Sequence, residues 1–137
     1  MGKKFKVEIV TPERLVFSEE AESLVVPAER GYLGVLAGHA PLLCTLQPGE
    51  IRVRGDHGER HFAIGGGFME VTPGKASLLT ESAEESAGID AARAQKAVDR
   101  ARQRLASADK AVDRERARAS LERAQNRLRL ASKYKKT

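Results

Sequence analysis

Tryptophan is absent, cysteine occurs once, and aromatic side chains are confined to four Phe and two Tyr. A core built from this chain must therefore be aliphatic. Cys44 is alone, so no intramolecular disulfide can form, and a reducing cytosol is the simplest setting. No run of about 18 apolar residues occurs, so no membrane-spanning helix is expected. The N-terminus Met1-Gly2-Lys3-Lys4-Phe5 is basic but passes straight into alternation, without the apolar segment of a signal peptide. A further absence is positional: all 12 Gly and all 5 Pro precede residue 89.

What is present divides at the same point. The 137 residues suffice for one ordinary domain, or for a small domain with an appendage, and 41% hydrophobic with 31% charged is a globular composition. Residues 1–88 carry 9 basic against 13 acidic side chains, net −4, whereas residues 89–137 carry 15 against 6, net +9. The basic isoelectric point thus belongs to the C-terminal part alone. We take 1–88 as a strand domain and 89–137 as a helical one.

In the first part Phe5, Val7 and Ile9 alternate with Lys4, Lys6 and Glu8, the period of a half-buried strand. Leu15-Val16-Phe17 and Leu24-Val25-Val26 read as further strands, the second ending at Pro27. The carboxylates Glu19, Glu20 and Glu22 are placed in a polar turn. Ile51 and Val53 precede Gly55-Asp56-His57-Gly58, a turn-rich segment, and residues 59–64 return as its hairpin partner. Residues 68–71, the turn at Pro73-Gly74 and residues 76–79 complete a set of eight or so short strands. Such spacing predicts a β-sandwich or barrel.

Beyond Gly88 the period becomes helical. Ala94, Val98, Ala101 and Leu105 form one narrow stripe, and Ala117, Leu121, Ala124, Leu128 and Ala131 form another. Asp90 is the candidate N-cap of the first helix, and Asp109 and Asp113 are candidate caps for the second. A helical hairpin follows, although no residue forbids one uninterrupted helix. Alanines offer one methyl each, so the pair should be marginal without docking or a ligand.

Arg93 and Arg100 stand seven apart on one face of the first helix, and Arg116, Arg123 and Arg127 share a face of the second. If the two stripes pack together, Arg93, Arg100, Arg123 and Arg127 converge along one flank. Guanidinium groups so placed suit phosphate oxygens, and the first helix N-terminus adds partial positive charge. The plain alternative is a solvated basic face with Asp90 as a simple cap. Residues 31–42, with glycines at 31, 34 and 38 and Pro41, read as turns presenting apolar groups, either a contact surface or a structural corner holding His39. Gly65-Gly66-Gly67 lacks the Lys-Ser/Thr of a phosphate loop and reads as a tight bend. His57 and His61 are two histidines with no third ligand, and Cys44 sits among leucines as an inert thiol. No nucleophile–base pair is legible, so no enzyme is expected.

Five anchors in order resemble one family. They are Val10-Thr11-Pro12; Gly31-x-Leu33-Gly34-x-x-x-Gly38-His39-Ala40-Pro41-Leu42; Gly66-Gly67-Phe68-x-Glu70-Val71; Ile89-Asp90-x-x-Arg93-Ala94; and Arg123-Ala124-x-Asn126-Arg127-Leu128. Together they resemble the epsilon subunit of bacterial F-type rotary ATP synthases. The resemblance implies a ten-stranded antiparallel β-sandwich followed by an antiparallel two-helix hairpin. It implies a non-catalytic central-stalk subunit, peripheral on the cytoplasmic face of the bacterial plasma membrane, that couples the gamma subunit to the c-subunit ring. Arg30, Gly31, Tyr32, His39, Pro41 and Leu42 would make those partner contacts. The helices would extend toward the catalytic alpha/beta head to hinder ATP hydrolysis, and would fold back when ATP is bound.

Some members bind ATP, with or without Mg2+, through an Ile/Leu-Asp-x-x-Arg-Ala motif. Its positions fall here on Glu84, Ile89, Asp90, Arg93, Ala94, Arg100, Arg123 and Arg127, each of the expected type. The resemblance puts Glu84 and Asp90 at the nucleoside and the arginines at the phosphates. The rival reading is a nucleic-acid-binding protein using its basic helices as a phosphate clamp. Against it, residues 89–137 hold one aromatic, Tyr134, and Asp99, Asp113, Glu115 and Glu122 interrupt the basic surface.

Overall fold

The computed structural model describes residues 3–107 and 113–133. They form two compact units, Met1–Glu85 and Ser86–Thr137.

The first unit contains ten strands: β1 (Phe5–Val10), β2 (Leu15–Ala21), β3 (Ser23–Ala28), β4 (Gly31–Leu36), β5 (Leu42–Leu46), β6 (Gly49–Gly55), β7 (Gly58–Ile64), β8 (Gly67–Thr72), β9 (Lys75–Thr80) and β10 (Ala83–Glu85). They form one sheet in the order β10-β7-β6-β3-β5-β8-β9-β1-β2, with β4 on the other edge of β3. The fold back on itself occurs at β3. Its first half, Ser23–Val25, pairs with β6, whereas Ala28 pairs with Leu46 of β5. Pro27 lies between those two registers, where a missing N–H interrupts no ladder shared with either strand. All pairings are antiparallel except that of β1 with β9, which run parallel through Lys6↔Lys75 to Val10↔Leu79.

The alternation seen in the sequence is the inside–outside alternation of the strands. Phe5, Val7 and Ile9 are buried, and with Leu24, Val26, Ile51, Met69 and Leu78 they fill the interior. The residues placed in a polar turn are a correction: Glu19 and Glu20 lie within β2, which runs on to Ala21. Charged side chains alternate acceptably on the outer face of an edge strand, so local polarity conceals its length. Glu19 also has a structural task. Arg60 of β7 donates to Glu19 at 3.2 Å and to Glu85 of β10 at 2.5 and 2.9 Å. The same guanidinium lies 5.3 Å from the Phe17 ring centroid and 5.9 Å from that of Phe62, which pack edge to face. Arg60 thus ties β2, at one end of the sheet, to β7 and β10 at the other, while its planar face covers the aromatic end of the core.

In the second unit a short 3-10 turn, Ser86–Gly88, precedes α1 (Ala91–Ala106) and α2 (Arg114–Lys133). Asp90 caps α1, its Oδ1 accepting from Arg93 N at 3.1 Å, and Asp113 caps α2 through Arg116 N at 3.0 Å. The other candidate cap, Asp109, lies outside the described residues. The seam buries Ala94, Val98 and Ala101 of α1 and Ala117, Ala124, Leu130 and Ala131 of α2. Leu105, Leu121 and Leu128 are only half-buried, which corrects the expected stripes. The buried sector of α2 is rotated toward Leu130, the side on which Ser120, Arg123 and Arg127 lie, and the 3-10 turn also packs on this helix.

The tight bend before β8 sets a sharp requirement. At Gly67, φ is +149°, and an added Cβ would stand 2.0 Å from the Leu79 carbonyl oxygen. Neither the conformation nor the neighbour, which is backbone, can adapt cheaply. Gly67→Ala is expected to lower stability by about 3 kcal/mol or more, read as a fall in the urea midpoint.

Candidate functional site

Each residue of the candidate nucleotide motif can be located within its own unit. Ile89 is buried and its amide donates to Ser86 O at 3.3 Å, ending the 3-10 turn and turning the chain into the cap. Asp90 is exposed with one carboxylate oxygen committed to the Arg93 amide. Ala94 is fully buried in the seam, where any larger side chain would push the helices apart. Arg93 and Arg100 are exposed, whereas Arg123 and Arg127 are half-buried. Arg123 donates to Ser120 Oγ at 3.2 Å, and the Nε of Arg127 is enclosed by protein. Glu84 lies in β10 of the strand unit, half-buried and paired in register with Ala63.

Helix geometry relates the four arginines to one another. Arg93 and Arg100 each immediately precede a buried alanine of α1, Ala94 and Ala101. Arg123 immediately precedes buried Ala124, and Arg127 follows one turn on. In two helices running antiparallel, the position before the buried one falls on the same flank of both. Four cations therefore share one side of the hairpin, and two of them are partly withdrawn from water. Like charges in such a position repel, and the repulsion grows as water is excluded. A polyanion among them would remove that cost and accept several charge-assisted hydrogen bonds. The first-turn amides of α1 point to the same end of the helix and favour negative charge there. Asp90 moderates this field while holding the helix start in place.

The strand unit carries the other expected contacts. Arg30, exposed, ends the β3–β4 turn, and Gly31 enters β4 with φ +125°. Tyr32 is exposed, yet its hydroxyl accepts from Glu50 N at 3.2 Å. Gly31 and Gly34 lie inside β4 rather than in turns; Gly38 supplies the turn after it. His39 is half-buried with Nδ1 2.7 Å from Ala40 O, and Pro41 is exposed. Leu42 packs against the core, and its neighbour Leu43 points outward at 71% exposure. Cys44, half-buried against the core, has its thiol pKa pushed up by that burial. His61 lies 3.1 Å from the Glu50 carboxylate, whereas His57 sits in the β6–β7 turn, so the two histidines have separate roles.

Sequence reasoning missed one feature of this unit. Register across five strands aligns Thr45, Phe68, Leu79, Val10 and Leu15 on the outer face. Phe68 and Leu79 are 56% exposed and Leu15 is 53% exposed. Leu43 adjoins the row on β5. Each residue looked like an ordinary member of an alternating strand, and only the pairings of distant strands make them neighbours. A continuous apolar row of this kind on an outer sheet face marks an interaction surface.

Comparison with known proteins gives the family of both units. Residues 4–86 match the family model described as ATP synthase, Delta/Epsilon chain, beta-sandwich domain, and residues 88–132 match ATP synthase, Delta/Epsilon chain, long alpha-helix domain. Among curated relatives, an ATP synthase epsilon chain of Syntrophobacter fumaroxidans is 44% identical over 97% of this chain and 99% of its own length. Those of Nitratidesulfovibrio vulgaris and Natranaerobius thermophilus are 43% and 45% identical over 95% and 92% of this chain and 97% and 91% of their own. Among solved structures, a chain of the Euglena gracilis mitochondrial ATP synthase (OSCP/F1/c-ring) superposes with TM-score 0.77 at 27% identity, covering 90% of this chain and 78% of that one. A chain of the Tetrahymena thermophila ATP synthase central stalk/c-ring shares the fold, with TM-score 0.57 at 15% identity over 98% of each.

The cap and the ligand roles of Asp90 separate experimentally. Asp90→Ala should cost the helical unit about 1 kcal/mol, whereas Asp90→Ser should keep the cap and that stability. Amide hydrogen exchange in the first turn of α1 reads the difference.

Proposed function

This chain belongs to the ATP synthase delta/epsilon family, and from that membership we propose a rotor subunit with a docking foot and a nucleotide-sensitive brake. The strand unit is the foot. The outer row of Phe68, Leu79, Val10 and Leu15, with Leu43 beside it, carries this reading: it is an apolar surface in want of a protein partner, here assigned to gamma. The exposed β3–β4 turn at Arg30-Gly31-Tyr32, with His39, Pro41 and Leu42 near the following turn, faces the c-subunit ring. The subunit itself performs no catalysis. No helix among the described residues is long and apolar enough to cross a membrane, and the subunit is held at the cytoplasmic membrane face through the complex.

The helical unit is the brake. Folded as a hairpin, it leaves the motor free; extended toward the alpha/beta head, it presents its basic surface there and hinders hydrolysis. ATP bound at Ile89, Asp90, Arg93, Ala94, Arg100, Arg123 and Arg127, with or without Mg2+, favours the folded form. The support is the shared flank of four arginines beside a seam in which five of the seven buried side chains are alanines. A ligand that binds one form alone stabilises it by RT ln(1 + [L]/Kd), roughly 2.7 kcal/mol at a hundredfold excess. For a seam this thin, such an increment decides the population. When ATP is scarce, the arginines lose their counter-anion and the folded form loses its advantage.

Isothermal calorimetry on the full chain is expected to show ATP binding that Arg93→Ala and Arg123→Ala weaken at least tenfold, each removing a charge-assisted contact. Unchanged binding in both variants would refute the site. For the foot, Phe68→Glu with Leu79→Lys should abolish co-purification with gamma while leaving the thermal midpoint nearly unchanged, because both side chains are more than half exposed and the new charges are of opposite sign across the strand pair.

A further inference from the structure

The end of α1 is held by a residue that neither the seam nor the nucleotide motif contains. Arg114, the first residue of α2, donates from Nη1 to Leu105 O at 2.7 Å and from Nη2 to Ser107 O at 2.6 Å. These are carbonyls at the C-terminus of α1, where the helix presents unsatisfied acceptors and the negative end of its dipole. A guanidinium suits this place unusually well. It is planar, permanently charged and able to bridge two acceptors with one fork. Ser107 N closes the last turn onto Arg104 O at 3.2 Å, so the grip falls on a well-formed helix end.

We propose that Arg114 is a nucleotide-independent latch of the closed hairpin, a conformational device that sets how far the helices stay folded before any ligand binds. The inference rests on the mobile-hairpin reading given above and is independent of its ATP site. The geometry makes the grip specific to the closed form. Leu105 and Arg114 are nine positions apart. In one continuous helix nine residues span about 13 Å, and in extended chain far more. Either separation exceeds what a single arginine side chain can bridge, so the Leu105 bond must break whenever the helices straighten relative to each other, and the two-carbonyl grip with Ser107, seven positions away, is lost with it. In the closed form it joins the end of α1 to the start of α2, far along the hairpin from the capped end at Asp90. Two independent controls therefore act on opposite ends of one pair: the arginine flank, which needs an anion, and Arg114, which uses the protein's own carbonyls.

The test uses the full chain with Cys44→Ser and spin labels at Lys96→Cys and Gln125→Cys, both exposed positions. Pulsed electron resonance then reads closed and open populations, with and without ATP. Arg114→Ala is expected to lower the closed-to-open ratio roughly fivefold without nucleotide, allowing for solvent competition at an exposed bond. Arg114→Lys keeps the charge but cannot bridge both carbonyls, and should lie nearer Arg114→Ala than wild type. Helical content by circular dichroism should be equal in all three. An unchanged ratio in Arg114→Ala, full retention in Arg114→Lys, or loss of helix in place of opening would overturn the latch. Arg93→Ala distinguishes the two readings: it should weaken the ATP response and, by relieving repulsion on the arginine flank, raise the nucleotide-free closed-to-open ratio, opposite in sign to Arg114→Ala. If wild type fails to respond to ATP while Arg114→Ala still opens, the ATP site is wrong and the latch stands.

Discussion

The helical unit is governed by how little its two helices share. Ala94, Ala101, Ala117, Ala124 and Ala131 bring the backbones close, but each contributes only a methyl group to the seam. A buried methylene is worth roughly 0.8 kcal/mol, and ordering a residue costs more than that. Contacts of this size cannot overrule electrostatics. In the proposed brake, what sits on the charged flank and what ties the helix ends decide the state of the pair. Larger core side chains would make the hairpin permanent and the surrounding charges irrelevant.

The strand unit is built on the opposite plan. Its interior holds Ile9, Leu24, Ile51, Phe62, Met69 and Leu78, all fully buried. One sheet turns back at β3, where the chain exchanges β6 for β5 beside Pro27. Its two ends are joined by Arg60 reaching Glu19 and Glu85. An open groove of about 230 Å³ follows this seam, lined by Phe17, Glu20, Asp56, His57 and Arg60. Such a body keeps its outer face constant, and an apolar row there can present a fixed shape to a partner. In the proposed function, a body that docks and a thinly packed helix pair that responds divide the labour of a central-stalk subunit.

The arginines illustrate why burial matters more than count. Among the described residues beyond 88, most basic side chains are solvated. Arg123 and Arg127 differ because the buried sector of α2 is rotated onto their side, toward Leu130. Partial loss of water raises the cost of crowding cations and the gain from an anion alike. Arg114 spends its charge differently, donating to the Leu105 and Ser107 carbonyls at the end of α1.

Much of this was written locally. The alternation of Phe5, Val7 and Ile9, the caps Asp90 and Asp113, the bend at Gly65-Gly66-Gly67 and the change of period beyond Gly88 each depend on neighbours within a few residues. So did the order of motifs that carried the family resemblance. Tertiary structure decided the rest. Glu19 and Glu20 belong to a strand because Arg60 and β1 lie beside them. Leu130 is buried while Leu121 and Leu128 are not, because the seam is set by what packs on α2. Phe68, Leu79, Val10 and Leu15 form one row because β8, β9, β1 and β2 pair in a particular register. Local periodicity states which face a side chain occupies; only the pairing of distant segments states what stands next to it.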